Sequence, residues 1–175
     1  MTIKTIFLDR DGVINIDRGY LYRISDFEFI EGVFDACLHF HHLGYKIIII
    51  SNQSGIGRGY YNENDYHQLN EWMLAQFNNK SIKILDTFYC PHSPVLLCEC
   101  RKPRPGMFLE AKDKHNISME KSWMIGDRDT DIKAANLAGV TNTILVRSGH
   151  ITNESNSNSR FITDSIKQSK ELIGL

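Results

Sequence analysis

No stretch of the 175 residues approaches the ~20 apolar positions a membrane-crossing helix requires; the run Ile47–Ile50 meets Ser51 at once. An excess of one charge sign is missing too. Twenty Lys and Arg against 21 Asp and Glu leave a net charge of −1, which predicts neither a nucleic-acid partner nor a membrane-surface one. The N-terminus lacks the apolar core of a signal peptide, so a cytoplasmic location is expected. No internal repeat is present. Cysteine is sparse and uneven: of four, Cys90, Cys98 and Cys100 fall within eleven residues. Clustered thiols in such a chain favour metal over disulfide. Cys37, in Val33-Phe34-Asp35-Ala36-Cys37-Leu38, sits on the apolar face of an expected helix and reads as core packing.

What is present is ordinary for a globular domain, with 42% hydrophobic and 23% charged residues. The length suits one domain with a single core, residues 1–175. Apolar runs predict strands near Ile3–Leu8, Lys46–Ile50, Ile84–Tyr89, Ser122–Ile125 and Thr143–Val146. Between them, helical patterns are expected near Gly32–His42, Glu63–Phe77, Gly106–His115, Thr130–Leu137 and Ser165–Leu172. The alternation predicts a parallel sheet covered by helices on both faces. Pro105 suits a helix first turn and Gly139 a helix C-terminus. The segment Thr152–Ser159, rich in Asn and Ser, predicts a solvated loop, followed by a short element at Phe161-Ile162 packing back on the sheet.

The chemistry concentrates where strands end. Asp9-Arg10-Asp11-Gly12 follows the first, Ser51-Asn52-Gln53-Ser54 the second and the cysteine loop with Arg101-Lys102 the third. Gly126-Asp127-Arg128-Asp129-Thr130-Asp131 follows the fourth. Taken alone, Asp-x-Asp after a strand is an acidic turn. Four such ends on one edge of a parallel sheet can instead meet around a ligand. The reaction this set can perform is phosphoryl transfer. Asp9 would attack phosphorus, and Asp11 would protonate the leaving oxygen and later deprotonate water. A divalent cation, most simply Mg²⁺ with Asp127 as a further ligand, would offset the repulsion between anions. Ser51 and Lys102 would orient the phosphoryl oxygens.

These segments resemble, in order and spacing, the haloacid dehalogenase-like phosphatases. Within that superfamily Asp17-Arg18-Gly19-Tyr20, Phe27-Glu28-Phe29, Asn52-Gln53-Ser54-Gly55-Ile56-Gly57-Arg58-Gly59 and Cys100-Arg101-Lys102-Pro103-Arg104-Pro105-Gly106-Met107 resemble the D-glycero-D-manno-heptose 1,7-bisphosphate 7-phosphatases. The resemblance implies a three-layer α/β, Rossmann-like fold with no large cap and a small zinc loop inserted at about 90–100. It implies Asp9 as nucleophile and Asp11 as acid/base. Mg²⁺ would lie on Asp9, Asp127 and the Asp11 backbone carbonyl. Substrate contacts would come from Asp17, Arg18, Gly19, Tyr20, Ser51, Asn52, Gln53, Ser54, Arg101, Lys102 and Arg128. The implied activity is removal of the C7 phosphate in making nucleotide-activated heptose for lipopolysaccharide or surface glycans, by a monomer acting on a small sugar bisphosphate.

Cys90-Pro91-His92-x5-Cys98-Glu99-Cys100 supplies three thiolates and one imidazole, a tetrahedral zinc set with no open position, hence structural. Its five-residue gap between His92 and Cys98 resembles the histidinol-phosphate phosphatases, the alternative reading. A binding protein that has lost catalysis, or a phosphotransferase, would need the acids or the water access to be compromised; neither is expected. Gly55-x-Gly57-x-Gly59 fails the dinucleotide-loop spacing, and Asp127-x-Asp129-x-Asp131 fails the calcium-loop pattern at Ile132 and Ala138. Asp131 is expected to hold Asp127 or Lys102, and Asp129 to start a helix. Arg104 reads as a surface charge or a ligand contact. His39, His41 and His42 are expected on the surface, and Trp72 and Trp123 in the core.

Overall fold

A computed structural model describes residues 1–150 and 154–174. Its strands are β1 (Thr5–Leu8), β2 (Lys46–Asn52), β3 (Ile84–Cys90), β4 (Trp123–Gly126), β5 (Asn142–Val146) and β6 (Phe161–Thr163). The helices are α1 (Val33–His42), α2 (Ser54–Gly57), α3 (Glu63–Asn79), α4 (Gly106–His115), α5 (Asp129–Leu137) and α6 (Ile166–Ser169). The strands form one sheet in the order β3-β2-β1-β4-β5-β6, with every pairing parallel. This is the doubly wound, Rossmann-like arrangement.

Both faces of the sheet are buried, which is why its central strands are almost unbroken apolar runs. Successive residues point to opposite sides. Ile6, Leu8, Ile47 and Ile49 join Val33, Cys37 and Phe40 of α1, Leu69, Met73 and Phe77 of α3 and Ile166 of α6. Phe7, Ile48 and Ile50 join Met107, Phe108 and Ala111 of α4 and Ala134 and Ala135 of α5. Three layers result. Cys37 is fully buried and Trp123 nearly so, while Trp72 packs against the core from its edge.

Local signals explain several boundaries. Asn62 and Asp65 exchange side-chain-to-backbone hydrogen bonds and start α3. Gly139, at φ +92°, follows the end of α5. Some expected bounds move. Ile3 makes only an isolated bridge to Ile117, outside β1. β2 runs on to Asn52 because its ladder with β3 continues through Ser51↔Tyr89 and Asn52↔Cys90. The last helix is Ile166–Ser169, shorter than Ser165–Leu172. In the Asn/Ser-rich stretch, Glu154–Asn156 form a 3₁₀ turn, and Glu154 pairs with Arg147 at 2.6 Å; Thr152 and Asn153 lie outside the described residues. The element at Phe161 is a sixth strand on β5. No helix among the described residues is long and apolar enough to cross a membrane.

Candidate active site

The strand order reverses between β1 and β4, and Asp9 and Asp127 directly follow those two strands. A crevice opens there by topology. It holds a cavity of about 580 Å³ whose walls include Asp9, Asp11, Asn52, Arg101, Lys102 and Arg128.

At its floor, carboxylate oxygens of Asp9, Asp127 and Asp131 lie within 4.8 Å of one another. Lys102, buried, places Nζ 2.9 Å from Asp9 Oδ1, 2.7 Å from Asp131 Oδ1 and 2.7 Å from the Ile50 carbonyl. Burial alone would lower the Lys102 pKa, but Asp131 and Asp9 outweigh it and raise it. One ammonium cannot neutralise three carboxylates. Burial first, then Asp131, pushes Asp9 well above the usual carboxylate range despite Lys102. The same two causes push Asp127 up to about 6.

Asp127 Oδ2 accepts the His150 backbone N–H at 2.8 Å, whereas its buried Oδ1 has no hydrogen-bond partner among the described residues. Gly12 makes room for this carboxylate: at φ +88°, a Cβ there would meet Asp127 Oδ2 at 2.5 Å. An orphaned oxygen, all-oxygen donors and uncompensated negative charge fit a hard divalent cation. Asp9 and Asp127 could hold it.

Asp11 lies beside this trio with a different environment. Its Oδ1 accepts from Arg10 at 3.0 Å and from Asn15 Nδ2 at 3.1 Å, and its Oδ2 accepts from Gln53 Nε2 at 3.1 Å. Burial would raise its pKa, but Arg10 and these hydrogen bonds outweigh it and hold the carboxyl low.

The expected contact residues divide by what their side chains already do. Asp17, Gly19, Tyr20, Gln53 and Ser54 line the cavity. Ser51 is buried beneath it, its Oγ accepting from Gln53 Nε2 at 2.5 Å, so its own hydroxyl proton is free to donate. Asn52 is fastened in both directions to the Lys102 backbone, at 3.1 and 3.0 Å. That fixes the third strand's loop against the second. Arg101 keeps a buried guanidinium nitrogen without a partner among the described residues, suited to an anion. Arg18 departs from expectation: it lies outside the cavity lining and pairs with Glu28 at 2.6 Å on the surface. Asp131 holds Lys102, and its Oδ2 accepts the Arg128 N–H at 3.0 Å; Asp129 opens α5 and pairs with Lys133 at 2.6 Å. Arg104 pairs with Glu99 at the surface.

Cavity residues outside the expected contact set include Gly55, Arg58, Tyr61, Thr130, Gly149 and His150. His150 Nδ1 stands 3.1 Å from both Asp17 Oδ2 and Asp127 Oδ2, while Nε2 faces the Arg128 guanidinium. A guanidinium only donates, so Nε2 accepts and the proton sits on Nδ1. His150 follows β5, and a fifth parallel strand end was the available signal. Arg58 lay inside a quoted motif, and Thr130 inside another.

Cys90, His92, Cys98 and Cys100 bring their donor atoms within 4.8 Å of one another. Cys90 Sγ is 3.6 Å from Cys98 Sγ and 3.1 Å from Cys100 Sγ, and His92 Nδ1 is 3.2 Å from Cys100 Sγ. A zinc tetrahedron with ~2.3 Å bonds to sulfur has edges of about 3.7 Å, close to this spacing. Burial would raise the Cys98 thiol, but the Arg101 backbone N–H and Cys100 bring it to about 7. The loop closes on α2 through the Gly57 N–H, which donates to the Pro91 carbonyl at 2.8 Å.

Comparison with known proteins agrees with this geometry. The HAD-hydrolase-like family matches residues 99–169. The chain is 43% identical over 175 residues to the D-glycero-beta-D-manno-heptose-1,7-bisphosphate 7-phosphatase of Vibrio cholerae serotype O1, covering 95% of this chain and 94% of that one. It is 48% identical over 146 residues to the D-glycero-alpha-D-manno-heptose-1,7-bisphosphate 7-phosphatase of Campylobacter jejuni, covering 83% and 84%. The structure is similar, with a TM-score of 0.85 and 26% identity, to the D,D-heptose 1,7-bisphosphate phosphatase of B. bronchiseptica complexed with magnesium and phosphate. That match covers 97% of each chain.

Proposed function

The chain belongs to the heptose 1,7-bisphosphate 7-phosphatase family of haloacid dehalogenase-like hydrolases, and from that we infer that it hydrolyses the C7 phosphate of D-glycero-D-manno-heptose 1,7-bisphosphate. The observation that carries this reading is the buried Asp9–Lys102–Asp131–Asp127 cluster at the sheet's switch point. The histidinol-phosphate alternative rested on one loop length and is not supported by relatives named for the heptose substrate.

Asp9 attacks phosphorus, and the bond from phosphorus to the C7 oxygen breaks. The proton that completes the C7 hydroxyl comes from Asp11. Asp11, now a carboxylate, takes a proton from water as that water attacks the aspartyl-phosphate, releasing inorganic phosphate and restoring Asp9. Lys102, pinned between Asp9 and Asp131, opposes the protonation of Asp9 that burial and Asp131 favour, and holds its carboxyl in place. The free Ser51 hydroxyl and Arg101 bind phosphoryl oxygens. Asp9, Asp127 and the Asp11 carbonyl would hold Mg²⁺, which would supply charge neutralisation between phosphate and nucleophile.

Cys90, His92, Cys98 and Cys100 would hold Zn²⁺ in a structural role, since four protein ligands leave no open position. We propose that residues 1–175 act as one phosphatase domain and as a monomer. A thiolate-rich metal set suits a cytoplasmic location. The product feeds nucleotide-activated heptose synthesis for lipopolysaccharide or surface glycans.

Phosphate release with Mg²⁺ from heptose 1,7-bisphosphate against histidinol phosphate tests the reading. A ~100-fold preference in kcat/KM for the heptose, equivalent to ~2.7 kcal/mol, is expected. The reverse preference would overturn the substrate. Asp9→Asn should remove turnover and keep the fold, and retained turnover would overturn the nucleophile.

A further inference from the structure

Among the described residues, every group on the Asp11 carboxylate is a donor: the Arg10 guanidinium, Asn15 Nδ2 and Gln53 Nε2. A protonated Asp11 therefore finds no acceptor for its proton in this shell. Two of these donors cannot change character, since Arg10 has no acceptor atom and Asn15 Nδ2 is also spent on the Ile16 carbonyl at 3.0 Å. Gln53 can. A flip of its amide would present Oε1 to Asp11, and a protonated Asp11 would then donate to the protein instead of to the substrate.

One side chain opposes that flip. The Tyr61 hydroxyl donates to Gln53 Oε1 at 2.5 Å, while Gln53 Nε2 reaches both Ser51 Oγ and Asp11. Tyr61 is 7% exposed and its ring stacks on Tyr22 at 5.3 Å. The ring also runs over the bare Cα of Gly55, where a Cβ would meet Tyr61 Cε1 at 2.2 Å. The hydroxyl is thus held in one place, and burial pushes its pKa up to about 12, so it remains a donor at neutral pH.

We propose that Tyr61 is a positioning residue for proton transfer: its hydroxyl fixes the Gln53 amide so that Asp11 meets only donors and delivers its proton to the leaving oxygen. As the phosphorus–oxygen bond breaks, its electron pair goes to the C7 oxygen, and the Asp11 proton follows to give the hydroxyl. Gln53 accordingly orients Asp11 from the cavity wall. This rests on Asp11 being the acid of the proposed reaction.

The test compares two leaving groups in Tyr61→Phe, which keeps the ring and its packing. The heptose leaves as an alkoxide and requires a proton, whereas p-nitrophenyl phosphate leaves as a stable phenolate and does not. General acids contribute about 10²–10⁴-fold. Partial misdirection of the proton should lower the ratio of kcat on heptose bisphosphate to kcat on p-nitrophenyl phosphate by about ten-fold or more, with KM within about two-fold. A ratio unchanged within about two-fold, whether both rates fall or neither does, overturns the proposal, as does an effect confined to KM. Asp11→Asn tests the parent reading separately. It should give a burst of about one nitrophenolate per enzyme without turnover and no burst of dephosphorylated sugar. Absence of that contrast overturns the role of Asp11, whereas its presence with an unchanged Tyr61→Phe ratio overturns Tyr61 alone.

Discussion

Lys102 shows how one side chain can hold a site together and restrict what it binds. Its Nζ is spent on Asp9, Asp131 and the Ile50 carbonyl, so it braces the nucleophile and has little left for a ligand. Lys102→Met leaves three buried carboxylates facing one another. Breaking a buried pair by removing one partner costs about 3–5 kcal/mol. The variant should melt well below wild type in EDTA and recover part of the difference in Mg²⁺, because a divalent cation replaces some of the missing charge. Its kcat should fall by about 10²-fold or more. Calorimetry with and without Mg²⁺ reads the first effect, and an unchanged melting temperature in EDTA would remove Lys102 from this role. Asp9, Asp11, Lys102 and Asp127 could be read from the chain because each directly follows or closely trails an apolar run. Tyr61 could not, because its role is a hydrogen bond to a residue 8 positions away, Gln53.

At the scale of elements, the cysteine loop matters through its neighbour. α2 carries Ser54 and is followed by Arg58, both on the cavity wall, and it abuts the loop so closely that a Cβ on Gly57 would meet Ser93 N at 2.5 Å and the Pro91 carbonyl at 2.7 Å. Both obstacles are backbone, so Gly57→Ala must displace one element. Overpacking of this kind costs about 1–3 kcal/mol. The variant should raise KM for the sugar bisphosphate more than it lowers kcat, because Asp9 and Asp11 sit on a different segment. Removing zinc with a strong chelator, then restoring Mg²⁺, should shift KM in the same direction. Metal analysis should find one zinc per untreated chain. A chelated enzyme with unaltered KM would show that the loop does not brace α2. Strand positions were readable because burial on both faces writes long apolar runs. Strand ends were less so: β2 continues through polar Ser51 and Asn52, where ladder hydrogen bonds, not hydrophobicity, define the element. β6 was readable only as a short element at Phe161-Ile162, since three residues on a sheet edge carry little pattern.

Across the whole molecule, folding concentrates negative charge where the reaction needs a cation, and stability should register that. Strand alternation made the layered architecture legible, yet the reversal of strand order between β1 and β4 is a property of the chain's path and appears only in three dimensions. The reversal brings Asp127 beside Asp9, and burial then raises both pKa values, Asp127 to about 6. A carboxyl whose folded pKa is raised binds protons more tightly folded than unfolded. Its contribution to stability is therefore fully present below the unfolded pKa and is lost as pH rises through the folded one. Without metal, the protein should lose stability between about pH 4 and pH 6 on this account. Mg²⁺ competes with those same protons, so its stabilising effect should run the opposite way, small at pH 5 and fully developed by about pH 7.5. Thermal melts in EDTA and in saturating Mg²⁺ across that range measure both slopes. A Mg²⁺-induced shift of equal size at pH 5 and pH 7.5 would mean that the cation does not bind the buried carboxylates. A shift that grows with pH, and disappears in Asp127→Asn, would place it there.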